Sequence, residues 1–391
     1  MRNSLTLKLK LKLKLILTLS VTLFVTLIMT VTMSVTLIMT VTLTLTDDLL
    51  SFRLKTIIMS KLKADHSQFE FGQVISQPES LPGCVQVARY HNAKTNSHRT
   101  VAVKKYSLAD INRDTADITA HIQHEVTAMR QFDHQNILTC LTSLVRGTEV
   151  WVVTPLAEYG SVRDLINREV FSPGPGLPEL FICLVVRDVC QGLDYLHHQG
   201  VVHRALRASH ILLKGNAAVV SGLRFSTELQ ATGEGRPNLY SFPLHGVTSN
   251  LAWLAPEILQ QNLLGYNEAS DIYSLAITIC EMANGLVPFA DIPATLMMVE
   301  KLQGTEPSVE NKEEFSSHFH QLVSVCCSQQ QQVRPTARDI LGHPVIKQLK
   351  KTNTSLGSIL AVSDRINFSK VKQVEELEDP HLSQPVKSWD F

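Results

Sequence analysis

Two short segments of the sequence carry side chains whose types and spacing could do chemistry. In VAVK, Lys104 ends a run of alternating side chains, and Glu125 follows on a stretch with helical character. In VVHRALRASHILL, His203 and Arg204 precede an apolar run, as they would in a catalytic loop. Such a loop needs a group that accepts a proton, yet the residue after the arginine is Ala205, whose methyl group accepts none.

The segments before residue 160 have the composition and alternation of β-strands. Residues that favour strands recur at alternate positions, and clusters of proline and glycine separate the runs. The pattern predicts strands over 69–76, 84–90, 99–106 and 149–156, with a helix over 117–132. In the third strand, Val101 and Val103 fall on one face, whereas Ala102 and Lys104 fall on the other.

Beyond Gly160 the pattern is mainly helical. Helices are predicted over 161–168, 179–198, 268–284, 313–327 and 336–342. Several strands followed by many helices are typical of an α+β chain, here one with two unequal lobes.

Charge and cysteine content argue against several classes of protein. Lys plus Arg number 36 and Asp plus Glu number 36, so no excess of positive charge favours binding to nucleic acid or to an anionic membrane. The seven cysteines include no C-x-x-C spacing, which argues against a disulfide framework and against a zinc site. The sequence therefore predicts free thiols in a reducing interior, most of them small core residues.

The first sixty residues differ from the rest of the chain. Residues 8–14 alternate Lys with Leu, and residues 15–46 contain no charge, which is long enough to span a bilayer. However, VTLIMTVT occurs at Val25 and again at Val35, and threonine alternates with leucine or valine at a strand period. We expect residues 1–60 to be a repeat-expanded leader outside the fold, with a membrane anchor as the alternative.

Ordered landmarks give the sequence a resemblance to protein kinase domains. They are VAVK on a strand, a glutamate on the next helix, HR before ILL, APE, and SDIYS. The resemblance covers residues 66–348 and implies a two-lobed protein kinase fold. A small, mainly β N-lobe would occupy 66–156, and a larger, mainly α C-lobe would occupy 157–348. Residues 349–391 would then form a polar tail.

The same resemblance identifies the chemistry that is missing. Phosphoryl transfer needs magnesium and a carboxylate that takes the proton of the substrate hydroxyl. Ala205 stands at the position of the catalytic aspartate, His210 at that of a metal-binding asparagine, and Gly222 at that of the metal-binding aspartate. Neither metal position supplies the hard oxygen ligand that magnesium prefers. Ser76 and Pro78 also replace the first two glycines of the phosphate-covering loop, and a proline has no N–H to offer a phosphate.

The framework residues of a kinase domain are nevertheless present. In kinases a glutamate and an arginine pair in the C-lobe, and an aspartate braces the catalytic loop. The corresponding structural positions here are His203, Arg204, Glu257, Asp271 and Arg334. A framework that lacks proton-transfer and metal-binding groups predicts a pseudokinase, with no catalytic residue and no bound metal.

Longer stretches resemble one family of pseudokinases. HRALRASHILL, SGLR, AWLAPEILQQNLLGYNEASDIYS and the terminal WDF are similar to the STRAD family of sterile-twenty-related kinase adaptors. The resemblance implies an adaptor that allosterically activates a tumour-suppressor serine/threonine kinase of the liver kinase B type. It also implies a complex with an armadillo-like helical scaffold, in the cytoplasm and with the nucleus as a second location.

The C-terminal tail would carry the scaffold-binding motif. The family's motif is Trp-Glu-Phe, and the residues here are Trp389, Asp390 and Phe391, which exchange one acid for another and keep both aromatic anchors. The alternative for these residues is an unstructured terminus.

Some members of that family bind ATP without metal, and the resemblance implies such a site here. The residues implied in it are Ala102, Lys104, Glu125, Thr154, Leu156, Ala157, Arg207, Leu212 and Arg224. Adenine would lie between Ala102 and Leu212. The guanidinium group of Arg207 or Arg224 would neutralise phosphates in place of magnesium, unless these arginines lie on the surface or pair with acids.

Two other functions remain open at this point. A substitute base, His210 or Asp271, would give a weakly active serine/threonine kinase. A membrane anchor in residues 1–60 would give a receptor-like pseudokinase. Phosphate incorporation into a generic substrate and extraction of membranes would separate these functions from that of an adaptor.

Overall fold

The N-lobe is built on a five-stranded antiparallel sheet. The structure is a computed structural model that describes residues 65–77, 83–92, 95–108, 115–169, 176–229, 238–242, 250–261 and 264–368. The strands, in spatial order β1-β2-β3-β5-β4, are β1 (Phe69–Ser76), β2 (Gly83–Asn92), β3 (Ser97–Ser107), β4 (Thr142–Arg146) and β5 (Glu149–Pro155). The sequence pattern did not predict β4, because its five residues are too short a run to show alternation.

Strand β3 separates the core of the N-lobe from the side that carries the candidate site. Val101 and Val103 are buried in a cluster with Phe69 and Trp151. Lys104 is on the opposite face and is paired in the sheet with Val85 of β2 and with Val152 of β5. The alternation of the sequence thus gives one apolar face and one face available to a ligand.

Helix α1 (Thr115–Gln131) lies against the N-lobe and reaches the C-lobe. Its buried residues Ile122, Val126 and Met129 recur at the helical spacing of three to four. A ring nitrogen of His124 lies 2.6 Å from the carbonyl oxygen of Ser226, so a hydrogen bond connects the helix with the segment after Gly222.

The C-lobe is mainly helical. Its helices are α2 (Val162–Asn167), α3 (Glu179–His198), α4 (Pro256–Leu259), α5 (Ala269–Asn284), α6 (Ala294–Gln303), α7 (Ser317–Cys326), α8 (Ala337–Leu341), α9 (Pro344–Lys347) and α10 (Leu356–Leu360). Two short strand pairs accompany them, β6 (Val201–Val202) with β9 (Thr227–Glu228), and β7 (Ile211–Lys214) with β8 (Ala217–Val220). All residues of α5 after Ala269 are buried, which makes this helix the centre of the lobe.

Most predicted helices are present, with one clear correction. The helix predicted over 313–327 begins only at Ser317, because the hydroxyl of Ser316 accepts the N–H of Phe319 as an N-cap. Helices α4, α6, α9 and α10 were not predicted from the sequence, and three of them have only four or five residues.

The cysteines are free thiols, and the described residues form no metal-binding cluster. All seven cysteines are free and five are buried, which confirms the prediction of small core thiols. Among the residues that the structure describes, no three His, Cys, Asp or Glu side chains are grouped so that they could hold a metal ion. Nor does any helix within the described ranges have the length and apolarity needed to cross a membrane. The leader, residues 1–60, lies outside those ranges.

The chain continues along the domain after α9. The buried side chains of Leu356 and Leu360 anchor α10, and the hydroxyl of Ser355 caps it by accepting the N–H of Ser358. Residues 349–368, which the sequence pattern assigns to a polar tail, therefore begin as structured chain packed on the domain. Trp389, Asp390 and Phe391 lie outside the described residues.

Candidate functional site

One cavity collects all the residues implied in nucleotide binding. It has a volume of 370 Å³ and is lined, among others, by Ala102, Lys104, Glu125, Thr154, Leu156, Ala157, Arg207, Leu212 and Arg224. Ligand cavities of proteins usually measure about 300–1,000 Å³. The lining also includes Ser76 of the altered loop, whereas Pro78 lies outside the described residues.

The strand lysine and the helix glutamate form an ion pair at one side of the cavity. The Nζ atom of Lys104 lies 2.9 Å from Oε1 and 3.2 Å from Oε2 of Glu125. The hydroxyl of the buried Tyr106 donates a further hydrogen bond to Oε2. Burial alone would raise the pKa of Glu125, but the charge of Lys104 and these hydrogen bonds outweigh it and hold the pKa below its usual value. The glutamate is therefore ionised at neutral pH and fixes the lysine.

Two arginines add positive charge to the same cavity. The side chain of Arg207 is buried, with Cζ 5.4 Å from the ring centroid of Trp253. Cζ of Arg224 lies 4.5 Å from the centroid of Phe225, and its charge contributes to the lowered pKa of Glu125. Arg207 is thus not a surface residue, and both arginines line the same cavity as Lys104.

Asp271, at the start of α5, holds the loop that begins at His203 through hydrogen bonds to its backbone. Its Oδ2 accepts the backbone N–H of His203 at 2.8 Å, and its Oδ1 accepts that of Arg204 at 2.9 Å. A ring nitrogen of His197 lies 2.9 Å from Oδ2. Burial would raise the pKa of Asp271, but the hydrogen bond and charge of His197 and the charge of His203 keep it below its usual value.

The backbone at Arg204 is held in an unusual conformation. Its φ is +63°, a left-handed value that is rare for residues other than glycine. The guanidinium group donates a hydrogen bond to the carbonyl oxygen of Phe225. The two hydrogen bonds to Asp271 therefore hold a strained turn in place, although Ala205 after it offers no acid.

His203 is neutral in this arrangement. Its Nε2–H donates to the carbonyl oxygen of Ser221 at 2.8 Å, and its Nδ1 accepts the backbone N–H of Ala205 at 3.2 Å. Burial lowers its pKa, and protonation of Nδ1 would also remove the acceptor for Ala205.

The two positions that the sequence predicts to have lost a metal ligand, His210 and Gly222, are packed against each other. Gly222 has φ +83°, and a Cβ atom built on it would lie 2.6 Å from Nδ1 and 2.7 Å from Cγ of His210. No Cβ approaches another heavy atom so closely, so the imidazole ring stands where a side chain at position 222 would begin. The Nδ1–H of His210 donates to the carbonyl oxygen of Ala205 at 2.6 Å. Burial, with the charge of Arg207, lowers the pKa of His210 well below its usual value.

The two candidate substitute bases are both unsuited to take a proton from a substrate, for different reasons. Asp271 is fully buried and already accepts two backbone N–H groups and His197. His210 keeps Nε2 unprotonated when Nδ1 donates to Ala205, but its strongly lowered pKa makes this nitrogen a weak base. Ala205 itself is buried and does not line the cavity.

The framework pair of the C-lobe is complete. Arg334 donates from Nη1 to Oε1 of Glu257 at 2.7 Å and from Nη2 to Oε2 at 2.8 Å, a bidentate geometry. It also donates to the carbonyl oxygens of Ser328 at 2.7 Å and Ala269 at 3.0 Å. This pair connects α4, the start of α5 and the segment before α8.

Sequence reasoning missed several residues of the cavity, and one of them lies outside the predicted kinase domain. Ile366, from the segment assigned to the tail, lines the cavity together with the kinase-domain residues. The available signal was the spacing of Ile366 and Phe368, two apolar residues at alternate positions in an otherwise polar stretch, DRINFS.

Comparisons with known proteins agree with this geometry. A family model described as protein kinase domain matches residues 83–346. The two-lobed fold and the site between sheet and helices therefore define a protein kinase domain, as predicted.

Similar proteins specify the family more closely. STE20-related kinase adapter protein alpha from Homo sapiens is 33% identical, over 88% of this chain and 89% of the relative. The alpha protein from Bos taurus is 35% identical over 74% and 90%, and the beta protein from Homo sapiens is 32% identical over 71% and 74%, respectively. The chain belongs to the STE20-related kinase adapter family.

Proposed function

We propose that the chain is a catalytically inactive pseudokinase adaptor. It binds and allosterically activates a serine/threonine kinase of the liver kinase B type, in a complex with an armadillo-like scaffold in the cytoplasm or nucleus. The observation that carries the inactivity is the contact between His210 and Gly222, since the ring excludes a side chain from the position of the metal-binding aspartate. The names of the relatives, which call them kinase adapter proteins, support the adaptor role.

The intact framework supplies the physical basis of the adaptor role. The pair of Lys104 and Glu125 ties β3 to α1, and the hydrogen bond from His124 to the carbonyl of Ser226 ties α1 to the C-lobe. These contacts are made by side chains of the chain itself, and they support the shape that a partner kinase would recognise. For the adaptor to activate a partner kinase, the partner must bind this joined arrangement of the lobes more tightly than an arrangement in which the lobes are apart.

A nucleotide without magnesium fits the cavity. The volume lies in the range of ligand sites, and Lys104, Arg207 and Arg224 provide the charge that a metal ion would otherwise supply. Ala102 and Leu212 would contact adenine. The bound nucleotide would contribute binding free energy that favours the closed arrangement.

A thermal-shift experiment on the full chain tests the nucleotide site. ATP is added in EDTA and, separately, in magnesium, and at 100 times its dissociation constant it should add about 2.7 kcal/mol to the folded state. We expect the same shift in both buffers and a smaller one for Arg207→Met. A shift only in magnesium would contradict the metal-free site, and no shift in either buffer would mean that the closed form depends on partner proteins alone.

The tail provides a second test of the adaptor role. Removing Trp389 and Phe391 should abolish co-precipitation with the armadillo-like scaffold while the domain stays folded, because aromatic anchors of interfaces contribute about 2 kcal/mol or more each. Replacing Asp390 by Glu is the matched control and should preserve binding. Unchanged co-precipitation after the deletion would exclude the tail as the binding motif.

A further inference from the structure

The cavity has a wall that does not come from the kinase domain. The family match ends at residue 346, whereas residues 364–368 contact both lobes beside the cavity. We call these five residues, Asp364 to Phe368, the strap. Ile366 and Phe368 are half-buried, while their neighbours are exposed.

On the side of the N-lobe, the strap is held by the first two strands. The Nε2 atom of Gln73 in β1 donates to the carbonyl oxygen of Asn367 at 2.6 Å. The guanidinium carbon of Arg89 in β2 lies 4.3 Å from the ring centroid of Phe368. A cation over an aromatic ring at this distance is attractive.

On the other side, the strap is held by the segment that joins the lobes. The backbone N–H of Ile366 donates to the carbonyl oxygen of Glu158 at 2.6 Å. The Nε of Arg365 donates to the hydroxyl of Tyr159 at 2.9 Å. The strap therefore contacts the N-lobe through Gln73 and Arg89 and the start of the C-lobe through Glu158 and Tyr159.

The apolar side chains of the strap extend the cluster around the adenine position. Ile366 and Phe368 pack against Val87, Ala102 and Leu156. Of these, Ala102 and Leu156 line the cavity together with Ile366. The cavity keeps 370 Å³ with the strap in place, so Ile366 forms part of its boundary and does not fill it.

We propose that the strap completes the base-binding end of the cavity, with Ile366 as a contact for the adenine ring. This inference rests on the proposed nucleotide site. Because the strap touches both lobes, it closes over the base only when they are together, and a bound base in turn retains the strap through apolar contact. The family's kinase domain alone would then be an incomplete nucleotide site.

Calorimetric titration of the full chain with ATP and with adenosine, in EDTA, tests this assignment. Ile366→Ala should weaken both ligands by the same factor, about tenfold for the apolar contact removed. Arg207→Met should weaken ATP and leave adenosine unchanged. The matched control is Val362→Ala, two residues before the strap, whose side chain is 72% exposed; it should leave both affinities unchanged.

Hydrogen exchange gives a second measurement, which does not depend on how much affinity Ile366→Ala loses. Saturating adenosine should slow exchange at the amide of Ile366, which donates to Glu158. Unchanged or tighter binding by Ile366→Ala, or a loss confined to ATP, would overturn the role of the strap while leaving the nucleotide site intact. Absence of any binding by the wild-type chain would overturn the site and the strap together.

Discussion

Two regions of the same domain differ in whether they keep the charged groups that a kinase has there. Around Asp271 and around the pair of Glu257 and Arg334, every charged group has a partner at 2.7–2.9 Å. At Ala205, His210 and Gly222 there is no carboxylate, and the remaining groups are hydrogen-bonded or packed against one another. One region preserves the contacts of a kinase, and the other has replaced them.

The difference separates what a kinase domain needs to fold from what it needs to react. Buried charges without partners cost several kcal/mol, so framework pairs cannot be lost one member at a time. Ala205 and Gly222 carry no charge, so these positions leave no buried charge unpaired and carry no such penalty. An adaptor can therefore retain the shape of the enzyme without its chemistry.

Breaking the framework should produce the largest effect. Arg334→Ala leaves the Glu257 carboxylate buried without its partner, and the expected loss is about 3–5 kcal/mol of unfolding free energy, measured by urea denaturation. Arg338→Ala is the matched control, because that arginine forms an ion pair with Asp194 while its side chain is 66% exposed. Its expected cost is below about 1 kcal/mol. Equal costs for the two variants would contradict the distinction between framework and surface.

A double-mutant cycle should show that the replaced region is itself packed. Gly222→Asp places a Cβ against Cγ and Nδ1 of His210, and the combination with His210→Ala removes both atoms. We expect Gly222→Asp to cost about 1–3 kcal/mol more in the wild-type background than in the His210→Ala background. Gly147→Asp measures the strain of a positive φ alone, since φ is +56° there and nothing lies within 4 Å. If the losses of unfolding free energy at positions 210 and 222 were additive, the proposed contact would be contradicted.

The domain should begin to lose stability at a higher pH than protonation of its carboxylates alone would cause. Burial lowers the pKa of both His203 and His210, so the unfolded chain binds protons below about pH 6.5 that the folded chain does not. As the pH decreases below about 6.5, the free energy of unfolding should therefore decrease, by at most about 1.4 kcal/mol per pH unit for each histidine. The pKa values of Asp271 and Glu125 are lowered, so their contribution is lost only at more acidic pH.

The histidine contribution can be isolated by substitution. His210→Asn should reduce the slope of unfolding free energy between pH 6.5 and 5, as followed by denaturation at several pH values. The exposed His66, changed to Asn, is the control. An unchanged slope in His210→Asn would mean that this imidazole is not buried as a neutral group.

Restoring the catalytic acid alone should have no effect on activity. Ala205→Asp returns a proton acceptor but neither metal ligand, and transfer of a phosphoryl group needs both. Radiolabelled phosphate incorporation in magnesium should stay at the level of Ala205→Asn. Incorporation by Ala205→Asp that disappears with Lys104→Ala would show that the missing metal ligands are not decisive.

The sequence predicted most of the large elements, several residues of the site and, through the resemblance, the contacts of the framework, but not how His210 packs against Gly222. Strand β3 and helix α3 have long runs with clear periodicity, so their positions followed from local pattern. The short β4 did not, because five residues carry too little pattern. The apposition of His210 with Gly222 depends on how two loops approach each other in space, which no local pattern contains. Ile366 reaches the cavity for a similar reason, since its partners lie in distant parts of the chain.

The ring of His210 also bears on how such a protein can change over many generations. A carboxylate restored at position 222 meets that ring, and an asparagine restored at position 210 gains nothing while position 222 is glycine. A return to metal binding would require both substitutions, and catalysis would also require an acid at position 205. Each single step is neutral at best, so selection has no gradual path back. Under the proposed function, the absence of metal ligands would therefore be hard to reverse, and the chain would remain an adaptor.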